Sequence, residues 1–438
     1  MARDTVVFFG IGAVGAVMLV CMAELAERDG VPVRFVAFVR SVDMARDALF
    51  HAEHLFERIE FVGLPEFDPI WARDPRYMEY LKGALVLVNA ASPEMNERML
   101  VLAEELGAHA VDLASDMYDE ETQKTLTFAQ YRHEEALKAK GVAALINLGI
   151  SPGITNFLVG GRIHDIRAQN RRDLTIERVD LFLLEDIDSD EVVFSWSPVV
   201  ALEELAQRPR VIENGRIVVL EPFSSPRSYQ FPHEPRPSRQ YPLYQEELLS
   251  FRRAFPEIRA IGVWTGGSEV ELVKSLFKLN LLSKRTLDAQ PGLTVESVVR
   301  AILPGMNKPR RIENYLRTGV IRRAHFAAAA EIRISEQIRN DRQTLIETVG
   351  LSYHRYQELL DTPYAGATYI SYPTGVGAAI LVWHAMEHAR QQEGSISGVL
   401  SGEELARILP RYRVDAVRRD LVAWDIDLFD SVRDAASS

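Results

Sequence analysis

The chain has 438 residues, 47% of them hydrophobic and 26% charged, which is enough for two or three domains with buried cores. Its formal charge of −12 argues against nonspecific nucleic-acid binding and is compatible with a cationic substrate. The single cysteine, Cys21, excludes an internal disulfide and reads as a small core residue of a protein in a reducing cytoplasm.

The rest of the chain is organised around its first forty residues. The apolar run Thr5–Phe9 enters Gly10-Ile11-Gly12-Ala13-Val14-Gly15, and an apolar helix pattern from Ala16 to Leu25 leads to a second apolar run, Val33–Val39. Strand, glycine turn, helix and strand in this order form half of a nucleotide-binding βαβ unit. Its glycines serve a tight turn, close approach to a pyrophosphate and close helix–strand packing. Gly10, Gly12, Ala13, Val14 and Gly15 are therefore expected to hold the pyrophosphate on the free N–H groups and positive dipole end of the helix. Thr5 to Ala23 is also nineteen residues without a charge, long enough for a membrane span. Three glycines in its first half, one basic residue ahead of it and no small-residue cleavage site argue against that, and no membrane is expected. The second strand ends in Arg40 and Ser41, where an acidic residue about 20 residues past the turn would hold a ribose 2′-hydroxyl. A guanidinium suits a 2′-phosphate, so the pattern predicts NADP (NADPH) rather than NAD.

Residues 43–55 read as a helix and 59–64 as a strand. Leu85–Val88 is a buried parallel strand ended by Asn89-Ala90-Ala91-Ser92-Pro93, with Ser92 placed to cap the next helix and Pro93 at its first position. Met95, Met99, Leu102 and Leu106 recur at helical spacing before a Gly107 C-cap, and a strand over 108–113 ends in Ala114-Ser115-Asp116. Ligands of open α/β sheets bind beyond the carboxyl ends of strands. Three tips thus converge on one crevice, adding Asn89, Ala90, Ala91, Ser92, Ala114 and Ser115 to the expected cofactor-binding residues.

Residues 130–140 are polar and helical, and 142–148 strand-like. They lead into a loop, Gly149 to Phe157, that starts a helix and carries Asn156. From about Thr175 the pattern changes to strands over 176–184, 191–196 and 216–220, as in a second domain built on a mixed or antiparallel sheet. An ordered irregular loop over 221–242 comes next, then a helix beginning at 244–248, a strand over 258–265 and a helix over 269–282. Residues 311–342 fit either a strand pair or an alanine-rich helix near 324–333. Residues 367–373 lead into Thr374-Gly375-Val376-Gly377-Ala378-Ala379 and an apolar helix to about His388, and the tail holds a helix after Ser401 and no chemical motif.

Taken together these stretches resemble the saccharopine dehydrogenase-like family of NAD(P)-dependent oxidoreductases. The matching motifs are GIGAVG at 10–15, LVNAASP at 87–93, VDLAS at 111–115, SPGITN at 151–156, SWSP at 195–198, EPFS at 221–224 and YISYPTGVGAA at 369–379. Tyr244–Phe251 with Phe255-Pro256, and Ile370-Ser371-Tyr372 with Thr374-Gly375-Val376, are most similar to the carboxynorspermidine (carboxyspermidine) dehydrogenase branch. Three departures bear on the substrate. Gln245 stands where that branch usually has histidine, a Tyr-Thr-Thr-Gly-Val-Pro run reads Tyr372–Gly377 here, and residues 307–353 carry no likeness to it. The resemblance implies an α/β fold: a Rossmann-type doubly wound parallel sheet over 1–130, completed by about 365–438, and an α+β substrate-binding and dimerisation domain on a mixed sheet over 131–364. It implies an opine-type oxidoreductase, a homodimer, acting on CH–NH groups. An amine condenses with an aldehyde or keto acid, and the imine takes hydride from the nicotinamide. The alternatives are a saccharopine or other amino-acid dehydrogenase on the same scaffold and a non-catalytic NADP-binding regulator.

Each candidate also has a plain structural alternative. Asp116, past a strand tip, is the first choice as acid/base or amine-binding carboxylate, with an N-cap for residues 119–124 as the other reading. Tyr372 donates a proton or packs with its hydroxyl satisfied. Glu246 holds a substrate ammonium or is a solvated first-turn glutamate. Thr374 meets the cofactor or a substrate carboxylate through its backbone. Asn156 points into the crevice or caps a turn. Trp196 walls the pocket or lies in the core. His51 and His54 are three apart without a third ligand nearby, and no metal is expected.

Overall fold

The computed structural model describes residues 4–64, 69, 73–115, 127–169, 174–194, 198–287, 290–302, 308–338, 341–391 and 396–435. In chain order its elements are β1 (Asp4–Phe9), α1 (Ala13–Arg28), β2 (Val33–Val39), α2 (Val42–Ala48), β3 (Ile59–Gly63), α3 (Pro75–Leu81), β4 (Ala84–Asn89), α4 (Asn96–Leu106), β5 (His109–Asp112), α5 (Glu134–Lys140), β6 (Ala143–Leu145) and α6 (Ile154–Ala168). There follow β7 (Leu174–Ser189), α7 (Pro198–Ala206), β8 (Arg210–Glu213), β9 (Arg216–Val219), β10 (Arg227–Tyr229), β11 (Ser238–Leu243), α8 (Glu247–Ala254), β12 (Ala260–Gly266) and α9 (Ser268–Lys278). The rest comprises β13 (Thr286–Leu287), β14 (Gln290–Thr294), α10 (Val295–Ile302), α11 (Pro309–Arg317), β15 (Ile321–Ile338), β16 (Asp341–Tyr353), α12 (Ser371–Arg390), β17 (Gly398–Leu400), α13 (Gly402–Ile408), α14 (Arg411–Ala423) and β18 (Asp427–Asp434).

The chain forms two compact units. One comprises Met1–Gln169, Asp361–Ala367 and Ser371–Ile426, the other Asn170–Leu360, Thr368–Ile370 and Asp427–Ser438. Residues 131–169, expected in the second domain, pack in the first unit because β6 pairs with β5 and α6 packs on α13. Residues 427–434, expected in the first domain, join the second unit because β18 pairs with β16.

The first unit is built on a parallel sheet in the order β17-β6-β5-β4-β1-β2-β3. Strands buried on both faces need continuous apolar runs, which Val6–Phe9 and Phe35–Val39 supply. The uncharged run 5–23 is thereby divided between β1, the glycine turn and α1, and among the described residues no helix is long and apolar enough to cross a membrane. α4 and α5 end on Gly107 and Gly141 with positive φ, the left-handed cap glycine permits. The helix expected over 43–55 stops at Ala48, and a 3₁₀ segment takes up Glu53–Arg58. Cys21 is a buried core residue, and burial pushes its thiol pKa up.

The second unit is a mixed sheet in the order β10-β11-β12-β7-β15-β16-β18, with β8 and β9 attached at β12. Residues 311–342 resolve into α11 and a strand that pairs along β16 as a long hairpin. Within the alanine run Ala327–Ala330, the small side chains of Ala327 and Ala329 let the large ones of Phe182, Phe231 and Trp264 pack over one sheet face, so packing overrides helix propensity. The expected irregular loop over 221–242 contains β10 and most of β11, and the strand expected over 191–196 is absent from its described part, 191–194.

Adjacent glycines on α6 give a test of this packing. A Cβ at Gly160 would sit 2.5 Å from the Cα of Glu403, whereas one at Gly161 meets only Ala406 Cβ at 3.9 Å. Gly160→Ala is expected to destabilise by about 1–3 kcal/mol through overpacking. Gly161→Ala should be neutral or stabilising by up to about 1 kcal/mol through helix propensity. Urea unfolding of the two variants checks the opposite signs.

Candidate functional site

The strand order places a switch point between β1 and β4, and the glycine turn is built into it. Gly10 has φ +95° and donates its N–H to Phe38 O at 3.0 Å. A Cβ on Gly10 would lie 3.0 Å from Ala91 Cβ, and one on Gly15 would lie 2.9 Å from both Ala90 Cβ and Gly10 O. Gly12 differs: it is exposed, and a Cβ there meets nothing within 4 Å. It is the N-cap of α1, whose start has no side-chain cap and no acidic residue in its first turn, with Ala13 and Val14 half-buried beside it. Open space over a glycine at an uncapped helix N-terminus fits a dinucleotide pyrophosphate.

The other tips are tied to this turn by side-chain amides. Asn89 Nδ2 donates to Ser92 O at 2.8 Å and to Asn96 Oδ1 at 2.7 Å, while Asn89 Oδ1 accepts from the Ala91 N–H. Asn96 Nδ2 in turn donates to Ala114 O at 2.9 Å, so one chain of hydrogen bonds joins the tips of β4 and β5. The Ser92 hydroxyl makes no cap; its carbonyl is what orders the turn. Ser115 is buried, donating to Asn147 Oδ1 at 2.7 Å and accepting from Gln130 Nε2 at 2.6 Å, which leaves its hydroxyl a positioning role. Asn147, at the tip of β6 with φ +56°, belongs to no motif in the sequence, yet its buried Nδ2 has no hydrogen-bond partner among the described residues. Its only sequence signal is a polar residue at the end of an apolar strand. Arg40 lies exposed at the end of β2 and makes no ion pair among the described residues, and Ser41 caps α2 by accepting from the Met44 N–H at 3.3 Å.

Other expectations are corrected by geometry. Asn156 Oδ1 accepts from the Gly153 N–H at 2.9 Å and the side chain is buried, so it caps α6 and is not presented to a substrate. α12 starts at Ser371, three residues earlier than expected, so the Thr374 N–H lies inside the first turn and is used within the helix. Gly375 lies against α1, where a Cβ would meet Val17 Cβ at 2.6 Å, and it is a packing glycine. Tyr372 is buried against Tyr364 with its hydroxyl donated to Trp424 O at 3.1 Å; burial pushes its pKa up, and it is a core residue. Asp116 and Trp196 lie outside the described residues.

In the second unit Glu246 belongs to a group of carboxylates brought together from four elements. Glu185 is on β7, Glu204 on α7, Glu246 at the N-cap of α8 and Glu269 in the first turn of α9. Gly267, at φ +120°, lets α9 start against β7, since a Cβ there would lie 1.9 Å from Glu185 O. Gln245 Nε2 donates to Glu204 Oε1 at 3.0 Å, and the Tyr369 hydroxyl to Glu269 Oε1 at 2.9 Å. Burial, then the charges of Glu269 and Glu204, holds the Glu185 carboxyl well above the usual carboxylate range. Burial, and then Glu246, pushes Glu204 up to about 8, against a lowering by Gln245. Among the described residues no positive side chain acts on either group. These glutamates are scattered over 85 positions of sequence, and only Glu246 stood beside a recognisable motif.

No family model matches the chain. It is 25% identical over 195 residues to carboxyaminopropylagmatine dehydrogenase of Synechocystis, a match covering 43% of this chain and 45% of that protein. The alignment therefore spans less than half the length of that relative. The structure superposes on apo saccharopine dehydrogenase (L-Glu forming) of Saccharomyces cerevisiae with a TM-score of 0.65 and 14% identity, covering 98% of this chain and 100% of the other. The chain has the fold of saccharopine dehydrogenase. In this saccharopine dehydrogenase fold the unit with the parallel sheet carries the glycine turn and the unit with the mixed sheet carries the carboxylates.

The raised Glu204 pKa has a consequence for stability. In the unfolded chain this group titrates near 4.5, so between that pH and about 8 the folded state holds a proton that the unfolded state has lost. Its contribution is fully present below pH 4.5 and is lost as pH rises through about 8. E204Q is expected to flatten the fall in stability across this window, read as urea midpoints at a series of pH values.

Proposed function

We propose that the chain is an NADP-dependent oxidoreductase of the opine type, which reduces the imine formed between a cationic amine and an aldehyde or keto acid. The observation that carries this reading is the carboxylate group of Glu185, Glu204, Glu246 and Glu269, in which no described positive side chain offsets Glu185 or Glu204. Buried carboxylates of one sign are stabilised by a cation that enters their site, and a di- or polyamine, or a guanidino amine, supplies more than one. The name of the Synechocystis relative, a carboxyaminopropylagmatine dehydrogenase, supports a substrate of this kind, and carboxynorspermidine or carboxyspermidine formation is the corresponding polyamine reaction.

In this reading the first unit binds the dinucleotide, with its pyrophosphate over Gly12 and Arg40 on the 2′-phosphate. The second unit binds the amine, with Glu246 and Glu269 accepting hydrogen bonds from its ammonium. Glu204 moves the proton. Below a pH of about 8 it is protonated, and it donates to the carbinolamine hydroxyl as the C–O bond breaks and water leaves. Gln245 fixes the orientation of that carboxyl through its Nε2–H. The nicotinamide, when bound, supplies the hydride.

NADPH consumption with aspartate semialdehyde and a panel of putrescine, diaminopropane, agmatine and neutral amines tests this. Turnover with the cationic amines is expected, and E204Q should lower kcat by about 10²–10⁴-fold. No turnover with any cationic amine, or E204Q at wild-type rate, refutes the assignment. For the cofactor, Arg40→Ala is expected to raise KM for NADPH by about 10-fold or more and leave that for NADH nearly unchanged. Equal losses would remove the NADP preference.

A further inference from the structure

A second constellation in the mixed-sheet unit is independent of the carboxylate group. Phe326 pairs with Tyr353 across the β15–β16 hairpin, and the same register continued by one residue sets His325 opposite His354. Their rings are stacked, 5.1 Å between centroids and 24° between planes. Glu234, in the turn between β10 and β11, brings its Oε1 to 2.8 Å from His325 Nε2. On β15, His325 is paired with Asp186 and Phe326 with Glu185, so the histidine and Glu185 lie on opposite faces of the sheet.

His325 is 1% exposed, and among the described residues neither of its ring nitrogens makes a hydrogen bond; its approach to Glu234 has the distance of one without the alignment. The buried Nε2 of His354 is likewise without a partner among the described residues. Buried imidazole nitrogens are normally hydrogen-bonded, so unpartnered buried nitrogens on two neighbouring rings beside one carboxylate need another explanation. One donor atom from each of the three residues lies within 4.8 Å of the others. Donors sharing one tetrahedral zinc at about 2.0–2.1 Å lie about 3.4 Å apart, and two imidazoles on it have ring centres about 5 Å apart. Two neutral nitrogens and one carboxylate are a donor set for a borderline divalent cation, not for calcium or magnesium. His233, exposed and at φ +70°, stands next to Glu234 with its ring centre 6.4 Å from that of His354. It is one nearby side chain that would fill the fourth position.

We propose that Glu234, His325 and His354 bind one zinc-class divalent cation, which pins the β10–β11 turn to the open end of the β15–β16 hairpin. The three donors come from distant stretches of sequence with no ligand spacing between them, which is why no motif announces them. The site holds structure and takes no part in the imine reduction.

The test uses the full chain stripped with chelator and titrated with Zn²⁺ by calorimetry and with Co²⁺ by visible absorption. One equivalent per chain is expected, with the d–d bands of low-symmetry four-coordinate cobalt and a higher unfolding temperature in saturating zinc. Glu234→Gln, nearly isosteric, and His354→Ala should each weaken binding by about 100-fold or more and abolish the thermal shift. His51→Ala should change neither. Absence of stoichiometric binding, or binding altered by less than about 3-fold in both ligand variants, overturns the proposal.

Discussion

The first unit depends on how closely the backbone at the tip of β1 approaches the backbone at the tip of β4. Neither Gly10 nor Gly15 has room for a methyl group, because Ala90, Ala91 and the Gly10 carbonyl already occupy its place. A side chain at either position would push the tips apart, and overpacking of that kind typically costs about 1–3 kcal/mol. The loss would fall on the crevice itself, since the Asn89–Asn96–Ala114 hydrogen bonds hold the neighbouring tips in register with this contact. Gly12 carries the opposite constraint. No described residue touches the space beside it, so its lack of a side chain serves whatever approaches from outside.

The second unit is organised by charge. Gly267 lets α9 butt against β7, which sets Glu269 close to Glu185, while α7 and α8 bring Glu204 and Glu246 together. Like charges in a partly desolvated site repel more strongly than in water, which together with burial raises the carboxyl pKa of Glu185 and pushes that of Glu204 up to about 8. Such a group is a poor choice for stability alone. Apolar residues of similar size would pack there without the pH-dependent cost, which is in keeping with the amine-binding role proposed for this group.

The parts of this architecture legible in the sequence are those with local causes. An apolar run with a glycine turn, an Asn at a strand end and a glycine after a helix each state their geometry within a few residues, and Gly10–Gly15, Asn89 and Gly107 lie where that logic puts them. What is not legible depends on partners far along the chain. The alanines at 327–330 have the propensity of a helix and lie in a strand, where Ala327 and Ala329 are the thin neighbours that Phe182 and Trp264 pack against. Asn156 and Tyr372 have the chemistry of site residues, and only the identity of their hydrogen-bond partners, Gly153 and Trp424, shows them to be structural. Glu185, Glu204 and Glu269 are ordinary surface-type residues in sequence, and their significance comes from the fold setting them near one another, Glu269 buried and the other two half-buried.

The same distinction applies to the stretches that carry the family resemblance. In Thr374-Gly375-Val376-Gly377 both glycines are occupied by helix packing, Gly375 on Val17 of α1 and Gly377 on Ile154 of α6. Gly153 is required because its Cβ would overlap the carbonyl of Gly149. Those motifs are therefore signatures of how the fold closes, and a chain could keep them while changing its substrate. Specificity has to reside where the fold does not dictate the residue, and the central strands of the mixed sheet show how sharply that is controlled. β7 and β15 alternate, so Glu185 pairs with Phe326 on one face while Asp186 pairs with His325 on the other. A slip of one residue in this ladder would exchange the carboxylate face for the histidine face. The register of β15 against β7 thus fixes which sheet face carries Glu185 and which carries His325.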